Sequence, residues 1–247
     1  MRSTRHLPAF LLLATFALAA PPGGGGPTFS APRTITNEFF PFVVGAVKSY
    51  RGTDHGAHTA VVDLYRPDVR AFALGGGSVD AHLLDEVDFA DGILSEISHN
   101  YFAQSDDGAV HYFGEIVDIY DETGAVVAHD GSWLVGGPTL PSDPVVTATA
   151  TTSAVFMPAN PQMGDQFKPE DLAPIVNETV TVLATDKKVK VEAGKYAGVL
   201  HVLETSALPD STPEKKWYAR GVGVIKAQSK GEKLELIAST LVPPTGP

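Results

Sequence analysis

The chain reads as mainly β, an antiparallel meander that forms a curved sheet, a half-barrel or a barrel-like domain. Three observations predict this. Apolar and polar residues alternate with a period of two over most of its 247 residues. Asp91-Gly92, Asp107-Gly108 and Thr123-Gly124 recur every 16 residues, each between two alternating stretches, which is the rhythm of hairpin turns. Long helices are not evident in the pattern.

The elements follow in order. Arg2, Arg5 and His6 precede an apolar run from Leu7 to Ala20, so residues 1–20 read as a signal peptide; the run falls short of the about 20 apolar residues of a comfortable membrane span. Residues 21–33, rich in Pro and Gly, are expected to be a flexible linker, and 34–241 the β domain. Val43–Tyr50 and Thr59–Tyr65 flank a hairpin tip bounded by Gly52 and Gly56. From Val79 to Phe89, Val79, Ala81, Leu83, Val87 and Phe89 share one side of a strand, while Asp80, His82, Glu86 and Asp88 take the other. A helical stripe through Leu83, Leu84 and Val87 is the competing reading. Ile93–Ser105, Ala109–Asp121 and Ala125–Val135 are long strands, and long strands twist and curl. The Thr-rich stretch 138–152 is a candidate internal boundary. Beyond it, Val176–Ala184, Lys188–Val191, Gly198–Ser206, Lys215–Ala219, Gly221–Gln228 and Lys233–Thr240 alternate again, and 242–247 is a patternless tail.

Composition narrows the function. The absence of Cys excludes disulfides, thiol catalysis and thiolate metal sites. A formal net charge of −11, more negative still without Arg2 and Arg5, disfavours nucleic acid and anionic membranes as partners. No membrane span is expected after signal cleavage, and no cofactor motif is present: phosphate-cradling loop, dinucleotide fingerprint, nucleophile elbow and His-Glu-x-x-His are all missing. Gly221-Val222-Gly223 reads as a bulge or tight bend.

Two candidate sites remain. If Asp107-Gly108 centres its turn, Gln104 faces His111, Phe102 faces Phe113 and Asn100 faces Glu115, which puts these side chains on one side of the sheet. Asn100, Phe102, His111, Phe113 and Glu115 are therefore the candidate ligand-binding residues, weighed against an ordinary solvent-facing polar side with cross-strand aromatic pairs. Asp54, His55 and His58 form the one compact set of nitrogen and oxygen ligands, a candidate zinc or copper site at a hairpin tip where polar residues are otherwise simply solvated.

Several motifs also carry a resemblance. Asn37-Glu38-Phe39-Phe40-Pro41-Phe42, His111-Tyr112-Phe113-Gly114-Glu115, Gly131-Ser132-Trp133, Gly164-Asp165 and Tyr218-Ala219-Arg220-Gly221-Val222-Gly223 resemble those of an uncharacterised family of exported bacterial β-rich proteins. His111 replaces an aromatic usual there, and the 138–154 stretch is longer than typical. The resemblance implies a β-rich fold and, since the family has no established activity, transfers no catalytic residue. The leading expectation is an exported, periplasmic or extracellular, noncatalytic binding module for an apolar small molecule, lipid or peptide. The alternatives are a metal-assisted hydrolase and a structural surface protein that pairs with other envelope proteins.

Overall fold

The computed structural model of the chain describes residues 26–209 and 211–243; the expected signal peptide, the start of the linker and the last four residues lie outside them. Regular structure in the described residues is entirely β. In chain order the strands are Val47–Asp54 (β1), Ala57–Leu74 (β2), Gly77–Ala90 (β3), Ile93–Gln104 (β4) and Val110–Tyr120 (β5). Short strands Val126–Ala128 (β6), Trp133–Val135 (β7), Ala148–Ala150 (β8) and Ala154–Met157 (β9) follow. Gln166–Leu172 (β10), Val176–Val191 (β11), Gly194–Thr205 (β12), Glu214–Ala219 (β13), Gly223–Gln228 (β14) and Glu232–Ser239 (β15) complete the set.

All belong to one sheet, ordered β10-β11-β12-β13-β14-β15-β1-β2-β3-β4-β5-β7-β8, with β6 and β9 also paired to β5. The sheet is continuous across 138–152. Pairing is antiparallel except between β7 and β8. Because β9 packs beside β10 without forming a ladder, the sheet curls into a barrel that is closed but for one seam. The barrel-like expectation is met, and β3 is a strand rather than a helix.

Turn chemistry sets the registers. His55 and Gly56 (φ 45° and 96°) and Asp91 and Gly92 (φ 50° and 82°) form two-residue turns with both residues left-handed, matching the right-handed strand twist. Asp107-Gly108 differs, because only Gly108 is left-handed and Ser105 closes the turn onto Ala109. Val110 therefore faces Gln104, and Tyr112, not Phe113, faces Phe102; a bulge before Phe102 returns Asn100 to Glu115.

On β3 the face that carries the acids turns inward. Leu84, Glu86 and Asp88 line the barrel lumen, whereas Val79 and Ala81 are buried on the outer face. That outer face is dry because other segments cover it. Phe72 packs on Tyr101 and Phe113 (centroids 5.4 and 5.2 Å), and Phe29, from the stretch expected to be a tether, packs edge-on to Phe113 and His111. Arg70 grips Asp143 with two bonds of 2.8 and 2.7 Å and so ties the 138–152 excursion to β2. Residues 37–42 stop one end of the lumen. Asn37 donates to the carbonyls of Gly108 and Pro158, and Phe40 stacks among Phe102 and Phe156.

Candidate functional site

Within the barrel lies a cavity of about 430 Å³. Alternation on each strand sends every second side chain into it, so the lining is a set of short rows. β1 contributes Lys48 and Tyr50, β2 Val61, Asp63 and Tyr65, β3 Leu84, Glu86 and Asp88, and β13 Glu214, Lys216 and Tyr218. Phe40, Phe102, Tyr112 and Phe156 make an aromatic wall, with Phe102 stacked on Tyr112 at 4.8 Å. Glu170 and Glu178 stand on β10 and β11. Six lining carboxylates thus meet two lysines.

Both lysines are already engaged. Lys48 Nζ lies 2.8 Å from Asp63 Oδ2 and 2.6 Å from the Tyr50 hydroxyl. Burial alone would lower its pKa, but Asp63 with the Tyr50 and Tyr65 hydroxyls together outweigh that and hold it well above the usual value, so Lys48 stays charged. Lys216 is held likewise by Glu204 at 2.5 Å and Glu214 at 3.3 Å.

The remaining acids are frustrated. Burial, then Asp63 and Asp88, push Glu86 up to about 8 against the pull of Lys216 and Lys48. Burial, then Glu96 and Asp63, push Asp88 up to about 7. Glu86 is solvent-accessible, and that surface faces the lumen. Glu115 is raised by burial and by its neighbour Glu170, which also lies 3.4 Å from Trp133 Nε1. Glu115 on β5 and Glu170 on β10 therefore meet across the seam.

The structure separates the sequence-derived candidates. Asn100 and Phe102 line the lumen, and Asn100 accepts a 2.5 Å bond from the Tyr112 hydroxyl. Glu115 is half-buried beside Tyr112 and Glu170. His111 and Phe113 point to the opposite side: His111 bonds Ser153 Oγ at 3.1 Å, and Phe113 sits in the outer core against Phe72. The shifted turn at Asp107-Gly108 is the reason.

At the hairpin tip, His55 Nδ1 lies 2.6 Å from Asp54 Oδ1 and 3.7 Å from Glu232 Oε1. His58 pairs with Thr53, one residue out of step with Asp54, so it projects from the other face. Glu232 of β15 takes the third place instead, and the three ligand atoms lie within 4.8 Å of one another in an exposed setting.

Sequence reasoning missed the lumen acids and lysines. A signal was present: a charged residue precedes a tyrosine by two at Lys48-x-Tyr50, Asp63-x-Tyr65 and Lys216-x-Tyr218, and each of these pairs lines the cavity.

No known protein family matches the chain, and no curated protein matches it. Among solved structures, the chain is similar to a Bacteroides fragilis protein described as exported and of YmcC-like fold. Identity is 12%, 83% of this chain and 99% of that one are covered, and the TM-score is 0.44.

Proposed function

We propose that the protein is an exported, noncatalytic binding module whose barrel lumen takes a small ligand. The observation that carries this reading is the 430 Å³ cavity, which falls in the size range of small-molecule sites and combines an aromatic wall with convergent polar groups. Export is supported by the N-terminal charge and apolar pattern. An apolar or lipid ligand suits the wall of Phe40, Phe102 and Phe156. Filling the whole lumen with such a ligand would strip water from Glu86 and Asp88 without replacing it, so the ligand carries polar groups as well.

Native mass spectrometry of gently purified protein tests the reading. A bound species of a few hundred daltons is expected, absent from an Ala227→Trp variant whose added ring occupies the lumen. A ligand-free protein that binds none of a broad small-molecule set overturns it.

A further inference from the structure

We infer that the lumen takes an organic cation, an amine or quaternary ammonium compound with an apolar or aromatic arm. The inference rests on the lumen being the binding site, and four features of the lining support it.

Asp63 is 4% exposed, and its Oδ1 has no hydrogen-bond partner among the described residues although Oδ2 holds Lys48 and Tyr50. A buried carboxylate oxygen left open is costly unless something supplies a donor. Asp88 Oδ1 is buried and open in the same way. No lysine lies within ion-pair distance of Glu86 or Asp88 among the described residues, since Lys48 and Lys216 are bound to Asp63, Glu204 and Glu214.

The lining also carries the rings of Phe40, Phe102, Tyr112 and Phe156, and aromatic rings attract cations, most strongly when desolvated. A metal ion does not fit as well. Three ligand atoms within reach of one ion occur among the described residues at Asp54, His55 and Glu232, not in the lumen.

An entrance of the same sign exists. A second depression shares Val61, Glu214, Ala227 and Leu234 with the lumen and runs out to Asp54 and Glu232 at the hairpin tip, with Lys233 alone opposing them. Acidic rims concentrate cations.

Binding would displace protons. Glu86 faces Asp63, Asp88, Lys48 and Lys216, with Glu115 and Tyr112 nearby; Asp88 faces Glu96 and Asp63. An ammonium group that replaces the proton on Asp88, which titrates at about 7, gains about tenfold in affinity between pH 6 and 8.

Titration calorimetry with phenethylamine, its neutral analogue 2-phenylethanol and the anion 3-phenylpropanoate decides the matter. The amine is expected to bind at least tenfold more tightly than the alcohol. It should release protons at pH 7, seen as a heat that changes with buffer ionisation enthalpy, and lose affinity in Asp88→Asn and Glu86→Gln variants that melt no lower than the parent protein. Alcohol binding as tight as amine binding, and lost in Ala227→Trp, overturns the cationic assignment while leaving the lumen site. Amine binding that persists in Ala227→Trp also overturns it. Failure of all three probes overturns both.

Discussion

Glu86 shows how one side chain carries the tension of the lumen. Its carboxyl ionises near 4.5 when unfolded and at about 8 in the fold, so between those values the folded chain holds a proton that the unfolded chain has released. Stability therefore falls as pH rises through this window. Glu86→Gln should leave stability at pH 5 nearly unchanged and raise it at pH 8.5 by about 1–2 kcal/mol, less than a dry site would give because the lumen surface is wet. Denaturant unfolding at the two pH values checks this, and equal pH dependence in both proteins would contradict it. At this scale the sequence was half legible. Asp107 and Asp121 accept backbone N–H bonds within their own turns, as acids at turns are expected to do. For β3 the sequence separated the acids from the apolar face but not inside from outside, because a period of two reports that two faces differ, not which one turns inward.

Strand positions were largely legible, since alternation and turn dipeptides are local signals, but lengths were not: Ala125–Val135, expected as one long strand, is the short pair β6 and β7, and Val176–Ala184 and Lys188–Val191 are the single strand β11. Register was less legible. A turn with one left-handed residue instead of two moved Phe113 and His111 out of the proposed cluster while a bulge kept Asn100 opposite Glu115. β8, β9 and β10 were not foreseen, being short or irregular and held by partners distant in sequence. Gly114 makes an element-scale prediction. Its φ of 110° is left-handed, and an added Cβ would collide with the Trp133 carbonyl across the β5–β7 pairing. Gly114→Ala should cost about 2–4 kcal/mol and loosen Trp133, read as a shift in tryptophan fluorescence; a variant of native stability and emission would refute this. The excursion over β2 depends on Arg70 and Asp143, whose side chains are 7% and 4% exposed. Asp143 also accepts the N–H groups of Thr139 and Leu140. Asp143→Ala leaves the guanidinium unpaired, with an expected loss of about 3–5 kcal/mol and protease cleavage within 138–147. Unchanged resistance to cleavage would argue against the anchor.

For the molecule as a whole, one sheet does two jobs with its two faces. The outer face is covered by Phe29, which packs on Phe113, and by the 138–152 excursion that Arg70 holds over β2. That frees the inner face from supplying the whole core, so charged rows stand around a cavity with an aromatic stop at one end. The seam between β9 and β10 is bridged by Glu115 and Glu170, which repel unless a proton lies between them. Raising pH above the carboxylate range should therefore speed amide hydrogen exchange first in β10, while β2 and β3 remain protected; uniform exchange across the sheet would contradict this. The barrel-like curl was legible in the long alternating strands, but the contact at the seam was not, because it depends on Glu115 and Glu170, more than fifty positions apart, meeting in space.

A crystal structure of the protein soaked with phenethylamine tests the account most directly. The account predicts the ammonium nitrogen about 3 Å from Asp63 Oδ1 or Asp88, with its ring against Phe102 and Tyr112. A lumen filled by its own side chains, or a probe bound only on the outer surface, would contradict it.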